Sequence, residues 1–454
     1  MKKIGFVVMI VIAVSILAGI NSSCNKNIFN EETYQEIADT LSPVDSIDPN
    51  HTWVLTEKKT LIMNINAGVG AKKLLLLTDD PVTTLSAQII AQKDVEENDQ
   101  FSMTVSYPQL LSTLYAALID TEGNYTVTKI KPSSSNRVDF SNPMYKSQKV
   151  DYTPQLQYYS YCFESEYPEF GDYDYNDLIM HIALERTGPK EMRIHVRLAA
   201  LGCDRSLSGA IRFPTENKGE ERGLIKMDDI DSVYTVDGKS FNVNMHGETI
   251  SKQNMTIIKS TDLLMKGING EPILNIFADA HWAMGDMREN DYGVYERKYY
   301  NVSQSSGRSP SGAVHQVTVP REVVYVLKLK EELALNYLTL DDIDPFIQKY
   351  YSNNIFEVHT FPYRSVTAFN KYHYVDTKNL PWSLVMPSGT FNHPLEGINI
   401  GFKMKSDSEK YPGYDILFGA YSTRGHAFGE WAENRNKSTD WYHYPETSQV
   451  FIWQ

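Results

Sequence analysis

The sequence predicts a mostly β protein: an N-terminal antiparallel β-sandwich followed by a larger β-rich domain of sandwich or jelly-roll type. Three observations carry this. Short stretches that alternate apolar and polar residues recur about 10 to 15 residues apart, separated by turn residues, as antiparallel strands do. Aromatic residues make up 12% of the chain, with 29 Tyr, and strands favour them. Finally, an acidic stretch at residues 171–177 runs straight into an apolar segment and then a second alternating one, as a loop held by a hairpin would. At 454 residues the chain can support two or three domains with substantial cores.

In chain order, Lys2 and Lys3 precede an apolar run over residues 4–20, which is borderline for a membrane span. Asn21-Ser22-Ser23 before Cys24 favours cleavage, so residues 1–23 read as an export signal. Asn21-Ser22-Ser23-Cys24 resembles a relaxed lipobox of a bacterial lipoprotein, which marks Cys24 for lipidation. An uncleaved anchor and ordinary secretory cleavage are the alternatives. Residues 24–50, interrupted by Pro43 and Pro49, read as a tether that would reach about 30 Å as a flexible coil.

Residues 51–131 carry the predicted sandwich, with strands near 60–66, 73–78, 100–107, 114–119 and 125–130. Residues 132–154, opening on Pro132 and three serines, read as a linker. The larger domain takes 155–454. Strands are expected near 178–184, 192–201 and 209–214, and the second of these would place Arg193, His195 and Arg197 together on a solvent face. Residues 215–270 read as polar excursions, 272–279 as an apolar strand, 286–312 as a long exposed loop, and 317–330 as a strand pair.

The chemistry concentrates in Gly171-Asp172-Tyr173-Asp174-Tyr175-Asn176-Asp177, with Glu164, Glu166 and Glu169 just upstream. Like charges this close repel unless a cation or dedicated donors sit among them. Calcium takes six to eight oxygen ligands in flexible geometry, so a short Asp/Asn loop suits it. The stretch starts as an EF-hand loop does, but Asp177 stands where that loop needs Gly and Ala183 where it needs a bidentate Glu. The expectation is a structural calcium held by Asp172, Asp174, Asn176 and Asp177, with Glu164 reaching in. The alternative is an acidic turn whose side chains cap backbone donors.

Phe163-Glu164 and the run from Gly171 to Ile179 resemble the FED…GDYDYNDLV signature of the LruC-domain proteins. These are bacterial, often lipid-anchored, surface proteins that largely lack an assigned activity. Ser165 stands where that signature has Asp. Further blocks resemble the family: residues 344–347, 356–359, Leu380-Pro381-Trp382 with Val385-Met386-Pro387, and Phe391 with His393-Pro394-Leu395-Glu396. A looser match covers Phe428, Trp431 and Asp440-Trp441-Tyr442. The resemblance spans residues 160 to 445 and implies an LruC-type β-rich domain on a surface lipoprotein.

Other candidates are weaker. Glu357 and His359 at i, i+2 share a strand face and read either as part of a metal or proton-transfer site or as a surface hydrogen bond. His281 is similar. Trp382, Trp431 and Trp441 read either as a stacking platform for a ligand or as core. Cys162 and Cys203 form a disulfide or two buried thiols. The net charge of -14 argues against nucleic acid, whose phosphates need a basic patch. The sequence holds no H-E-x-x-H, nucleophile elbow, P-loop or G-x-G-x-x-G.

The sequence therefore favours a lipid-anchored protein of the outer membrane or cell surface of a Gram-negative bacterium, of binding or structural type. The membrane is its first partner, and a glycan, a host protein or another envelope component its second. The alternative is a carbohydrate-active enzyme or accessory glycan-binding module that uses the C-terminal aromatics.

Overall fold

The computed structural model describes residues 42–44, 46–65, 70–167, 169, 171–213, 224–241, 262–267, 270–285, 297–309, 312–351, 354–360, 374–376, 378–404 and 416–453. The expected signal at 1–23, Cys24 and most of the 24–50 tether lie outside these residues. Strands dominate, and among the described residues the α-helices are two short ones, Ala280–Met284 and Phe428–Glu433.

Two sheets build the N-terminal sandwich. In the first, Thr56–Asn64 pairs antiparallel with Gln100–Pro108 and parallel with Arg137–Asp139. The second runs in the order Tyr145–Lys149, Asn124–Ile130, Leu114–Asp120, Ala71–Leu77, Gln88–Asp94 and Gln155–Leu156. Alternation places Leu61, Met63, Met103 and Val105 of the first sheet in one buried cluster with Leu74, Leu76, Ala116 and Leu118 of the second. Leu75, Leu77, Ala117 and Val127 form another cluster on the second sheet's opposite face. A strand covered on both faces reads as an unbroken apolar run, which explains Leu74 to Leu77. Residues 132–154, expected as a linker, instead supply an edge strand to each sheet.

The larger region contains two more principal sheets, paired antiparallel throughout. The six-stranded one runs Ile230–Thr235, Arg321–Leu329, Glu191–Ala200, Leu178–Gly188, Tyr159–Phe163, Ser383–Met386. The five-stranded one runs Leu264–Lys266, Pro272–Phe277, Leu207–Arg212, Asp344–Tyr351, Asn354–His359. Every residue of Leu207–Arg212 and Pro272–Phe277 is buried. The Tyr325 hydroxyl donates to the Ile276 carbonyl at 3.1 Å, tying one sheet to the other.

The strand Glu191–Ala200 alternates as expected. Met192, Ile194, Val196 and Leu198 are buried, while Arg193, His195 and Arg197 take the other face. That face is structured rather than simply solvated. His195 sits 3.1 Å from both Glu185 and Glu322, and the Arg197 guanidinium lies 3.9 Å over the Tyr158 ring.

Two expectations need correction. Residues 317–330 hold one strand, Arg321–Leu329, not a pair, because both its edges are taken by Glu191–Ala200 and Ile230–Thr235. Of the expected loop 286–312, residues 286–296 and 310–311 lie outside the described set. Its described start is anchored, since Lys298–Tyr300 pairs with Val314–Gln316 and Tyr300, Asn301 and Val302 are buried, while residues 304–308 are exposed as expected. In the expected excursion at 215–270, residues 215–223, 242–261 and 268–269 also lie outside.

The sandwich docks on the larger region within one compact unit, Pro43–Gln454. Lys58 pairs with Asp342 at 2.5 Å. Gln92 Nε2 donates to the Arg186 carbonyl at 2.8 Å.

Candidate cation centre

Tyr159–Phe163 and Leu178–Gly188 are neighbours in register, with Phe163 opposite Leu178. The described residues between them, 164–167, 169 and 171–177, therefore loop out from one end of the sheet. The Glu164 amide donates to the Trp382 carbonyl at 2.8 Å, fixing the loop's first residue. The two tyrosines fix its middle. Both occupy the left-handed backbone region, at φ 55 for Tyr173 and 54 for Tyr175, a conformation that costs a residue with a Cβ. Their burial holds it. The Tyr173 hydroxyl donates to Asp376 Oδ2 at 2.7 Å and its ring stacks on Trp382, while the Tyr175 hydroxyl donates to the Pro381 carbonyl at 2.8 Å.

With the aromatic residues anchored, the acidic ones converge. Ligand-capable atoms of Glu164, Asp172 and Asp174 lie within 4.8 Å of one another. Glu164 is fully buried. Its Oε1 accepts from the Tyr175 amide at 2.6 Å, but Oε2 has no hydrogen-bond partner. Gly171 makes room for that oxygen, because a Cβ there would lie 2.0 Å from it. Asp172 reaches solvent.

The electrostatics follow from burial and crowding. Burial, then Asp172 and Asp177, pushes the Glu164 carboxyl well above the usual range. Asp174 is raised for the same first reason, then by Asp172, Glu164 and Glu396. Asp177 is raised to about 6 by burial and Asp172, against opposing hydrogen bonds from Ser165 and the charge of Arg205. Arg205 also pairs with Glu166. Such a cluster favours either bound protons or a cation.

Turn-capping chemistry is present as well. Asp174 Oδ1 accepts from the Asn176 amide at 3.0 Å, and Asp177 Oδ2 from the Ser165 amide at 2.5 Å. Those bonds leave the buried Glu164 Oε2 and Asn176 Oδ1 without donors.

One neighbour was missed in the sequence. Glu396 lies beside the loop: the Gly397 amide donates to Asp174 Oδ2 at 2.8 Å. Burial, then Asp172 and Asp177, raises Glu396 to about 9. Its place in the His393-Pro394-Leu395-Glu396 block was the available signal, but nothing local connects that block to the acidic loop.

The remaining candidates fall elsewhere. Trp382, Trp431 and Trp441 are at most 2% exposed, so they form core rather than an exposed stacking platform. Glu357 and His359 are not a surface pair. His359 is fully buried, with Nδ1 2.6 Å from Asp344 and Nε2 3.1 Å from Glu357. Burial raises Glu357, but His359 and Arg212 outweigh it and hold the carboxyl at about 2. This is a buried ion network inside the five-stranded sheet. His281 is buried in the helix Ala280–Met284. Cys162 and Cys203 are free and buried. Burial, then Asp177, pushes the Cys203 thiol up.

No family model matches the chain, so the LruC-domain resemblance rests on its motifs alone, and no curated protein matches it in sequence. Among solved structures, the chain is similar to a crystal structure of a "Putative lipoprotein from Bacteroides ovatus" at a TM-score of 0.45 and 15% identity. The likeness covers 85% of this chain and 100% of that one.

Proposed function

We propose that the protein is a lipid-anchored component of the cell envelope, of binding or structural type, whose larger β-rich region is pinned by calcium at residues 164–177. The observation that carries the calcium reading is the buried, donor-less Glu164 Oε2 beside Asp172 and Asp174. Calcium ligands lie about 2.3–2.6 Å from the ion, so three oxygens within 4.8 Å of one another can share it. The ion cancels their repulsion and fastens the loop to the sheet end. Glu164, Asp172 and Asp174 supply carboxylate oxygens, Asp177 and Asn176 stand next to them, and water completes the shell.

The anchor rests on Cys24 behind the apolar run 4–20. One acyl chain binds a membrane only marginally, so stable attachment takes more than one. The calcium is structural in this reading, and the partner is a glycan, a host protein or another envelope component.

Two measurements test the proposal. Cells fed an alkyne fatty acid should label the wild-type chain and not Cys24→Ser, and equal labelling overturns the anchor. The purified protein should unfold at a higher temperature in millimolar calcium than in chelator. An unchanged midpoint, with no metal by mass analysis, overturns the ion.

A further inference from the structure

We infer a second divalent-cation position, distinct from the first and built on Asn176 Oδ1 and Glu396 Oε2. It rests on the reading of residues 164–177 as a cation centre and extends that centre to the segment after Pro394.

Asn176 is fully buried. Its Nδ2 donates to the Pro394 carbonyl at 3.1 Å, which settles which end of the amide is which. The oxygen end then points at Gly202 and meets no donor. Glu396 Oε2 is also buried without a donor. Both oxygens face the same spot, since a Cβ on Gly202 would lie 1.8 Å from Asn176 Oδ1 and 2.6 Å from Glu396 Oε2. The Gly202 amide cannot serve them, because it donates to the Asp177 carbonyl at 3.3 Å.

Two buried acceptors pressed together without a hydrogen are unfavourable. A cation between them removes the penalty. Glu396 is not among the carboxylates that converge within 4.8 Å around Glu164, and its donor-less oxygen faces Gly202, whereas that of Glu164 faces Gly171. Asp172, Asp177 and Asp204 add negative potential around Glu396, which suits a hard divalent ion that keeps several waters.

The surrounding backbone is already tied down. The Gly397 amide donates to Asp174 Oδ2, the Ile400 amide to the Tyr173 carbonyl at 2.8 Å, and Asn399 Nδ2 to the Asp172 carbonyl at 3.1 Å. A second ion would clamp two segments that are distant in sequence, at the point where they touch.

The test is calcium stoichiometry of the purified protein, by mass analysis after dialysis and by calorimetry. Two ions are expected for wild type and one for Glu396→Gln, with unchanged circular dichroism. One ion in wild type, or two in a folded Glu396→Gln, overturns the second position and leaves the first standing. No ion in wild type overturns both. A proton shared between Glu396 and Asn176 would give the one-ion result. If Glu396→Gln does not fold, Glu396→Asp withdraws the oxygen by one methylene and should lose the second ion. Undiminished binding of two ions there overturns the position.

Discussion

His51 Nε2 donates to the Trp431 carbonyl at 3.0 Å, joining the first residues of the sandwich to the C-terminal helix Phe428–Glu433. The tautomer is set locally: Nδ1 accepts from the Trp53 amide at 2.9 Å, so the proton lies on Nε2. The ring stacks on Trp53 and meets the edge of Trp431. A protonated ring would lose the Trp53 bond and place a charge among tryptophans.

That geometry sets a pH dependence. Burial lowers His51 to about 4. Between about pH 4 and its unfolded value of about 6.5, the unfolded chain binds the proton and the folded chain does not. Stability contributed by the neutral ring is therefore complete above that window and lost as pH falls through it. Urea unfolding at pH 7.5 and 5.0 should show a loss of about 1 kcal/mol per pH unit from this site, and a smaller loss in His51→Gln. His181, lowered to about 3 by burial and His393, acts in the same direction, so some slope remains in the variant.

Glu164→Gln keeps the shape and the acceptor for Tyr175 but removes the charge at the first cation position. If calcium at about 100 times its dissociation constant adds about 2.7 kcal/mol to wild type, the midpoint should rise by about 3 °C. The variant should show little of that rise. Scanning calorimetry with and without chelator checks both.

Gly171→Ala tests the room made for Glu164. The new Cβ would lie 2.0 Å from Oε2, and the Tyr175 amide holds that carboxylate in place. Overpacking of this kind costs about 1–3 kcal/mol. Calcium should then stabilise the variant less than wild type, as read by unfolding midpoints.

Trp441→Ala should destabilise the fold by about 3–5 kcal/mol. Its ring is fully buried among Phe391, Tyr421, Phe428 and Trp431. Denaturant titration measures the loss, and a change under 1 kcal/mol would contradict the core assignment.

The thiols of Cys162 and Cys203 should be inert to a water-soluble thiol reagent in the folded protein and react once it is denatured. Both are buried, and burial disfavours the reactive thiolate. Rapid native labelling would show that one of the two sites opens.

The mostly β class and several strand positions were legible in the sequence, because alternation is a local property. Residues 191–200 show side-chain faces that follow from period two alone. The acidic stretch was visible for the same reason: three carboxylates within six positions, Asp172, Asp174 and Asp177, repel one another unless something offsets them. Tertiary structure decided the rest. Residues 132–154 look like a linker because Pro and Ser disfavour regular structure locally, yet the open edges of two sheets recruit them. Trp382, Trp431 and Trp441 were ambiguous, since an aromatic residue suits a core and a surface equally until its neighbours are known. Glu396 entered the candidate centre through long-range contacts, such as that between Asp174 and Gly397, 223 positions apart. By itself the sequence determined the strand pattern and where negative charge accumulates. Only the fold decided which oxygens are buried without a donor, because burial and hydrogen-bond partners come from segments that meet through long-range pairing.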